Sequence, residues 1–154
     1  MTTAVAVPDP VFVDTNILVY AAIPAFPLHG AALGRLDAFR QAGVELWLSR
    51  QIRREYLATL TRPQAFTPPI AAAALITDII RFQSRFRIAE DGPAVTANLL
   101  GLLASIPIGG KQVHDANIVA TMQAHGLRRL LTHNTADFAR FGALIQVEPL
   151  ASTP

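Results

Sequence analysis

Five oxygen-bearing side chains fall where the apolar pattern of the chain stops or is interrupted: Asp14, Glu55, Asp115, Asn134 and Asp137. Asp14 ends the run Val11-Phe12-Val13 and opens Asp14-Thr15-Asn16. Asp115 is followed at i+3, i+4 and i+7 by Ile118, Val119 and Met122, which puts a carboxylate on the buried stripe of its helix, where it needs a partner or a metal. Glu55 lies beside, not opposite, the stripe Ile52, Tyr56 and Leu60. Thr132-His133-Asn134 ends a later apolar run, and Asp137 follows one helical turn on. Ligands of open α/β sheets bind at the carboxyl ends of the strands, so these groups are expected on one rim. Singly, each has an ordinary structural explanation: Asp14 as a helix cap, Asp115 as a first-turn acid, Glu55 as a partner for a surface arginine, Asn134 and Asp137 as turn residues. The chain has no cysteine, so a metal here must be held by oxygen or imidazole, and disulfides, thiol nucleophiles and thiolate sites are excluded. His29, His114 and His133 make no i, i+4 pair, which argues against zinc, and there is no GxGxxG or P-loop phosphate cradle. A second Asp two residues after Asp14 is also missing, which disfavours a phosphatase-type nucleophile.

The elements that must position these groups alternate between short apolar strands and helices. Strands are expected at 11–13, 44–48, 128–132 and 144–147. Helices are expected at 17–23, from about 33 to Gly43, at 50–61 behind the cap Ser49, from Pro68 to Phe86, from Asp91-Gly92-Pro93 to Ser105, and at 112–124 ending on Gly126, with a helical turn at 135–141. Short apolar strands separated by helices predict a parallel sheet covered on both faces, because each parallel crossover needs a helix. No repeat or low-complexity linker interrupts the pattern. The whole of 1–154 therefore reads as a single domain, with 1–9 and 150–154 expected to fray.

Composition agrees with one packed core: 154 residues, 51% hydrophobic and 16% charged. Thirteen Lys and Arg against eleven Asp and Glu leave a charge of +2, which names no partner by itself. The N-terminus has no basic region before an apolar one, and the longest apolar run, 70–76, is far too short for a membrane span. The expectation is a cytoplasmic protein with no membrane contact.

The segments VFVDTNILVY at 11–20, REYL at 54–57, QVHDANIVATMQAHG at 112–126 and LLTHNTADFARF at 130–141 resemble, in order, the PIN domains, and among them the VapC-type ribonuclease toxins of toxin–antitoxin pairs. The resemblance spans nearly the whole chain. It implies a PIN-like three-layer sandwich, with a central parallel sheet of about four to five strands and helices on both faces. It also implies Mg²⁺ or Mn²⁺ held by acids that cut single-stranded or loop RNA. Asp14, Glu55 and Asp115 match the three principal acids. Asn134 puts an amide where many relatives have a fourth acid, and Asp137 is positioned to supply that charge. Asn16 and Thr132 would orient the carboxylates, while Lys111, Arg53 and Arg54 are candidates for RNA phosphates. The family further implies a homodimer and a cognate antitoxin; the helices at 17–23 and 50–61 offer apolar positions next to charged ones and are expected to form much of its groove, with Ile52 and Tyr56 as positions where a charge should disrupt the complex. Asn134 keeps a second reading open: a weakened PIN module that binds RNA or a protein partner without cleavage. A DNA or structure-specific nuclease lacks the helical arch or second domain it would need.

Overall fold

Val11-Phe12-Val13 forms β1, and all three residues are fully buried. A strand hidden on both faces requires cover on both sides of its sheet, so the helices lie above and below it. The computed structural model describes residues 3–64 and 67–150. After β1 come α1 (Thr15–Ala22), α2 (His29–Gln41), β2 (Leu46–Ser49), α3 (Arg50–Leu60), α4 (Ala72–Arg85), β3 (Arg87–Ala89), α5 (Pro93–Ser105), α6 (Gln112–Ala124), β4 (Arg129–Thr132), a 3-10 helix (Thr135–Phe141) and β5 (Gln146–Pro149). The strands form one five-stranded sheet in the order β3-β2-β1-β4-β5. Every pairing is parallel, and Phe12 sits between Trp47 and Leu130.

The helix boundaries follow local chemistry. Asp14 caps α1 by accepting the Thr15 N–H at 2.7 Å, and the Ser49 hydroxyl accepts the Ile52 N–H to cap α3. Gly43 and Gly126, at φ +73° and +68°, turn the chain out of α2 and α6 in a conformation that disfavours other residues. The fully buried Ile52, Tyr56 and Leu60 anchor α3 in the core.

Several expectations are corrected. β3 has no counterpart in the sequence reading, because a three-residue strand directly after a helix carries too few alternations to show a period. β2 starts at Leu46 and not Val44, whose N–H is taken by the Phe39 carbonyl as α2 closes. β5 starts at Gln146, because the Leu144 and Ile145 N–H groups bond back to Phe141. α4 begins at Ala72 and not at Pro68. Leu150 is buried, not frayed, while 151–154 lie outside the described residues. Residues 3–9 are exposed and irregular, as expected. Among the described residues, no helix is long and apolar enough to cross a membrane.

Candidate active site

β1 sends its crossovers toward β2, whereas β4 pairs on its other side, so the strand order switches between β1 and β4. Such a switch point opens a crevice at the carboxyl ends of the strands. Asp14 follows β1 and Thr132 ends β4, and the Asp14 N–H donates to the Leu131 carbonyl across the seam at 3.0 Å.

Asp14 is buried and held by three donors. Its Oδ1 accepts the Thr15 N–H at 2.7 Å, and its Oδ2 accepts the Thr132 hydroxyl at 2.7 Å and Asn16 Nδ2 at 3.2 Å. Thr132 Oγ1 in turn accepts the Asn134 N–H at 3.1 Å, and Asn16 Oδ1 accepts the His133 N–H at 3.1 Å. Glu55 is joined to the same seam, since its Oε2 accepts the Thr15 hydroxyl at 2.8 Å. Its Oε1 accepts Gln51 Nε2 at 2.9 Å, a group that also donates to the His114 carbonyl at 2.9 Å. Asn117 Nδ2 donates to Gln51 Oε1 at 2.8 Å, so buried Gln51 ties α3 to α6.

Asp115 differs from both. Among the described residues its half-buried carboxylate has neither a hydrogen bond nor an ion pair. Burial raises its pKa from 3.8 to about 6, and the neighbouring Asp137, Asp14 and Glu55 push the same way against the opposing pull of Arg140. Asp14 is also raised from 3.8 to about 6, chiefly by burial, with the hydrogen bonds from Thr132 and Thr15 opposing. Both groups hold their protons nearer neutrality than ordinary carboxyls, and such perturbed groups cluster at functional sites.

Asp14, Glu55, Asp115, Asn134, Asp137 and Arg62 line one cleft of about 510 Å³. All five oxygen-bearing candidates therefore converge, Asn16 lines the same cleft, and Thr132 lies fully buried against Asp14. The phosphate candidates do not converge. Lys111, Arg53 and Arg54 are absent from the lining, and Arg53 faces Arg50 and Glu90 instead. Arg62 takes their place. Its position seven residues after Glu55, on the same helical face, was the available signal, hidden because α3 stops at Leu60. Gln51, four residues before Glu55, was legible by the same spacing. Ile52 and Tyr56 are 0% and 1% exposed, so they are core residues that no partner can reach, and the groove expected at them is corrected. Among the described residues, no three acid or imidazole side chains stand close enough to enclose an ion by themselves. A second hollow of about 600 Å³ lies at the amino ends of β2 and β3 among Arg40, Arg85 and Arg87, and Asp37 and Glu45 pair with two of these cations.

A family model described as PIN domain matches residues 11–144. Ribonuclease VapC24 of Mycobacterium tuberculosis is 29% identical over 144 residues, which cover 91% of this chain and 97% of that relative. Ribonuclease VapC48 of the same organism is 26% identical over 140 residues, covering 90% and 96%. A solved toxin–antitoxin complex from Klebsiella pneumoniae has a chain of the same fold, with a TM-score of 0.64 at 21% identity over 94% of this chain and 100% of that one.

Proposed function

The chain belongs to the PIN domain family, and from that premise we propose that it is a Mg²⁺- or Mn²⁺-dependent endoribonuclease, the toxin of a toxin–antitoxin pair. The observation that carries this reading is the unpartnered Asp115 carboxylate beside Asp14, Glu55 and Asp137 in a cleft at the sheet's switch point. The donor set suits a hard cation, being oxygen throughout. Mg²⁺ usually takes only one or two carboxylates and keeps several waters, so a ready-made cage of three acids is not required. Asp14 and Asp115 are the residues to hold it, and a bound ion would lower the pKa of a water and clamp the scissile phosphate.

The chain's own residues divide the remaining work. Thr132, Asn16 and the Thr15 N–H lock the Asp14 carboxylate in one orientation, so no side-chain freedom is lost when a cation arrives. Glu55, fixed at both oxygens by Thr15 and Gln51, is set to orient a water for attack on phosphorus. Asn134 lacks the family's fourth charge, and Asp137 restores a carboxylate to the same cleft. A cognate antitoxin and a homodimer belong to this reading, supported by relatives named ribonuclease VapC and by the solved toxin–antitoxin complex of the same fold. A cytoplasmic location goes with it.

The test is RNA cleavage across a Mg²⁺ titration with wild type and Asp115→Asn. Cleavage should need the ion and fall by orders of magnitude in the variant, which keeps the side-chain size but removes the charge. Robust cleavage in EDTA overturns the metal mechanism. Binding of RNA without cleavage at any Mg²⁺ level favours the weakened module that Asn134 suggests.

A further inference from the structure

The acids account for only part of the cleft. Tyr20 from α1 and Phe26 from the segment after it also line it, both partly exposed, together with buried Val19 and Phe138. The Tyr20 and Phe26 rings meet at 5.3 Å between centroids, and His133 stands edge-on to Tyr20 at 5.6 Å and 80°. Tyr20 thus touches two other rings, and its hydroxyl makes no hydrogen bond among the described residues. Arg62 is the one cation lining the cleft among the described residues. Its Nε donates to the Ala58 carbonyl at 3.1 Å, and among the described residues it has no ion-pair partner and its terminal nitrogens make no hydrogen bond.

A cleft with several carboxylates and a single arginine cannot hold a polyanion mainly by charge. Stacking on aromatic rings is the other general source of affinity for nucleic acids, and it requires a base whose face is uncovered, as in a single strand or loop and not in a duplex. We propose that the aromatic side of the cleft is a base-binding subsite, in which Tyr20, in contact with Phe26 and His133, stacks on one unpaired base of an RNA strand whose neighbouring phosphate lies against Arg62. The subsite rests on the ribonuclease reading above and adds the residues that select an unpaired nucleotide at the cut.

The probe is a short single-stranded oligoribonucleotide of mixed sequence with 2-aminopurine at successive positions, bound to Asp115→Asn protein in Mg²⁺. Stacking should quench its fluorescence at one position. Tyr20→Leu, which refills the half-buried site without a ring, should weaken binding roughly 5- to 150-fold, while Tyr20→Phe stays near the parent protein. An abasic unit at the quenched position should cost the parent a similar factor and cost Tyr20→Leu almost nothing, a comparison that needs no variant to establish the parent's half. Arg62→Ala should reduce the slope of log affinity against log salt by about 0.7. Equal binding of single strand and duplex, an abasic unit without effect on the parent, or Tyr20→Phe as damaging as Tyr20→Leu overturns the subsite. Metal-dependent cleavage with base-independent binding removes the subsite and leaves the nuclease. Base-dependent binding with no cleavage by the unsubstituted protein does the reverse.

Discussion

Asp14 is both a helix cap and a cleft acid, and the two roles use different oxygens: Oδ1 on the Thr15 N–H, Oδ2 on Thr132 and Asn16. Its pKa and that of Asp115 are raised from 3.8 to about 6, so the folded chain binds more protons than the unfolded chain between about pH 4 and pH 6. The sign follows: the contribution of these two groups to the stability of the metal-free protein is fully present below that window and is lost as pH rises through it. For buried Asp14 the shift corresponds to something on the order of 3 kcal/mol. Denaturant melts in EDTA at pH 4.5 and pH 7 should show this loss, and Asp14→Asn should flatten it, because Asn caps a helix about as well as Asp without the buried charge. A profile that rises with pH in the wild type and is flat in Asp14→Asn would mean that Asp14 is stabilised as an anion, against its raised pKa.

At the scale of elements, α3 and α6 are positioned against each other by one buried amide. Gln51 reaches Glu55, the His114 carbonyl and Asn117, so it sets the carboxylate of α3 and the backbone beside Asp115 of α6 together. Gln51→Leu fits the space but leaves the His114 carbonyl and the Asn117 amide without that partner, which should cost about 1–3 kcal/mol of stability. It should also lower cleavage by releasing Glu55. A chemical melt and a rate measurement at saturating Mg²⁺ check both halves. Unchanged activity with lowered stability would show that Gln51 only ties the helices. The register of α3 explains why charging Ile52 or Tyr56 cannot report on a partner: both sit in the core, so such variants would unfold the chain instead.

For the molecule as a whole, the site lies between the two halves of the sheet, and the proposed cation would be held by Asp14 at the end of β1 and Asp115 of α6, which are 101 residues apart in sequence. Such an ion would bind the folded chain and not the unfolded one, so thermal stability should climb with Mg²⁺, by about 2.7 kcal/mol once the ion is at a hundred times its dissociation constant. Asp14→Asn and Asp115→Asn should climb less. Melts of the three proteins across one Mg²⁺ series decide it, and parallel gains in all three would place the ion elsewhere on the surface.

The four candidate acids and one amide were legible from sequence because local periodicity records which face of an element is apolar, and a polar group at the end of a strand or on a buried stripe breaks that record. The same rule located α3 and α6, with the bounds of α6 at Gln112–Ala124. Strands of three or four residues carry little periodicity, so β3 escaped notice and the starts of β2 and β5 were placed two residues early. What only tertiary structure decided is adjacency. Asp14 and Thr132 are 118 residues apart, and nothing local says that β1 pairs with β4 and so brings the Thr132 hydroxyl onto Asp14. Arg62, not Arg53, Arg54 or Lys111, reached the cleft for the same reason, since the direction of a surface side chain depends on where its helix stops and what it packs against. Residue chemistry is written along the chain, whereas the pairing of distant elements is a property of the packed core they bury together.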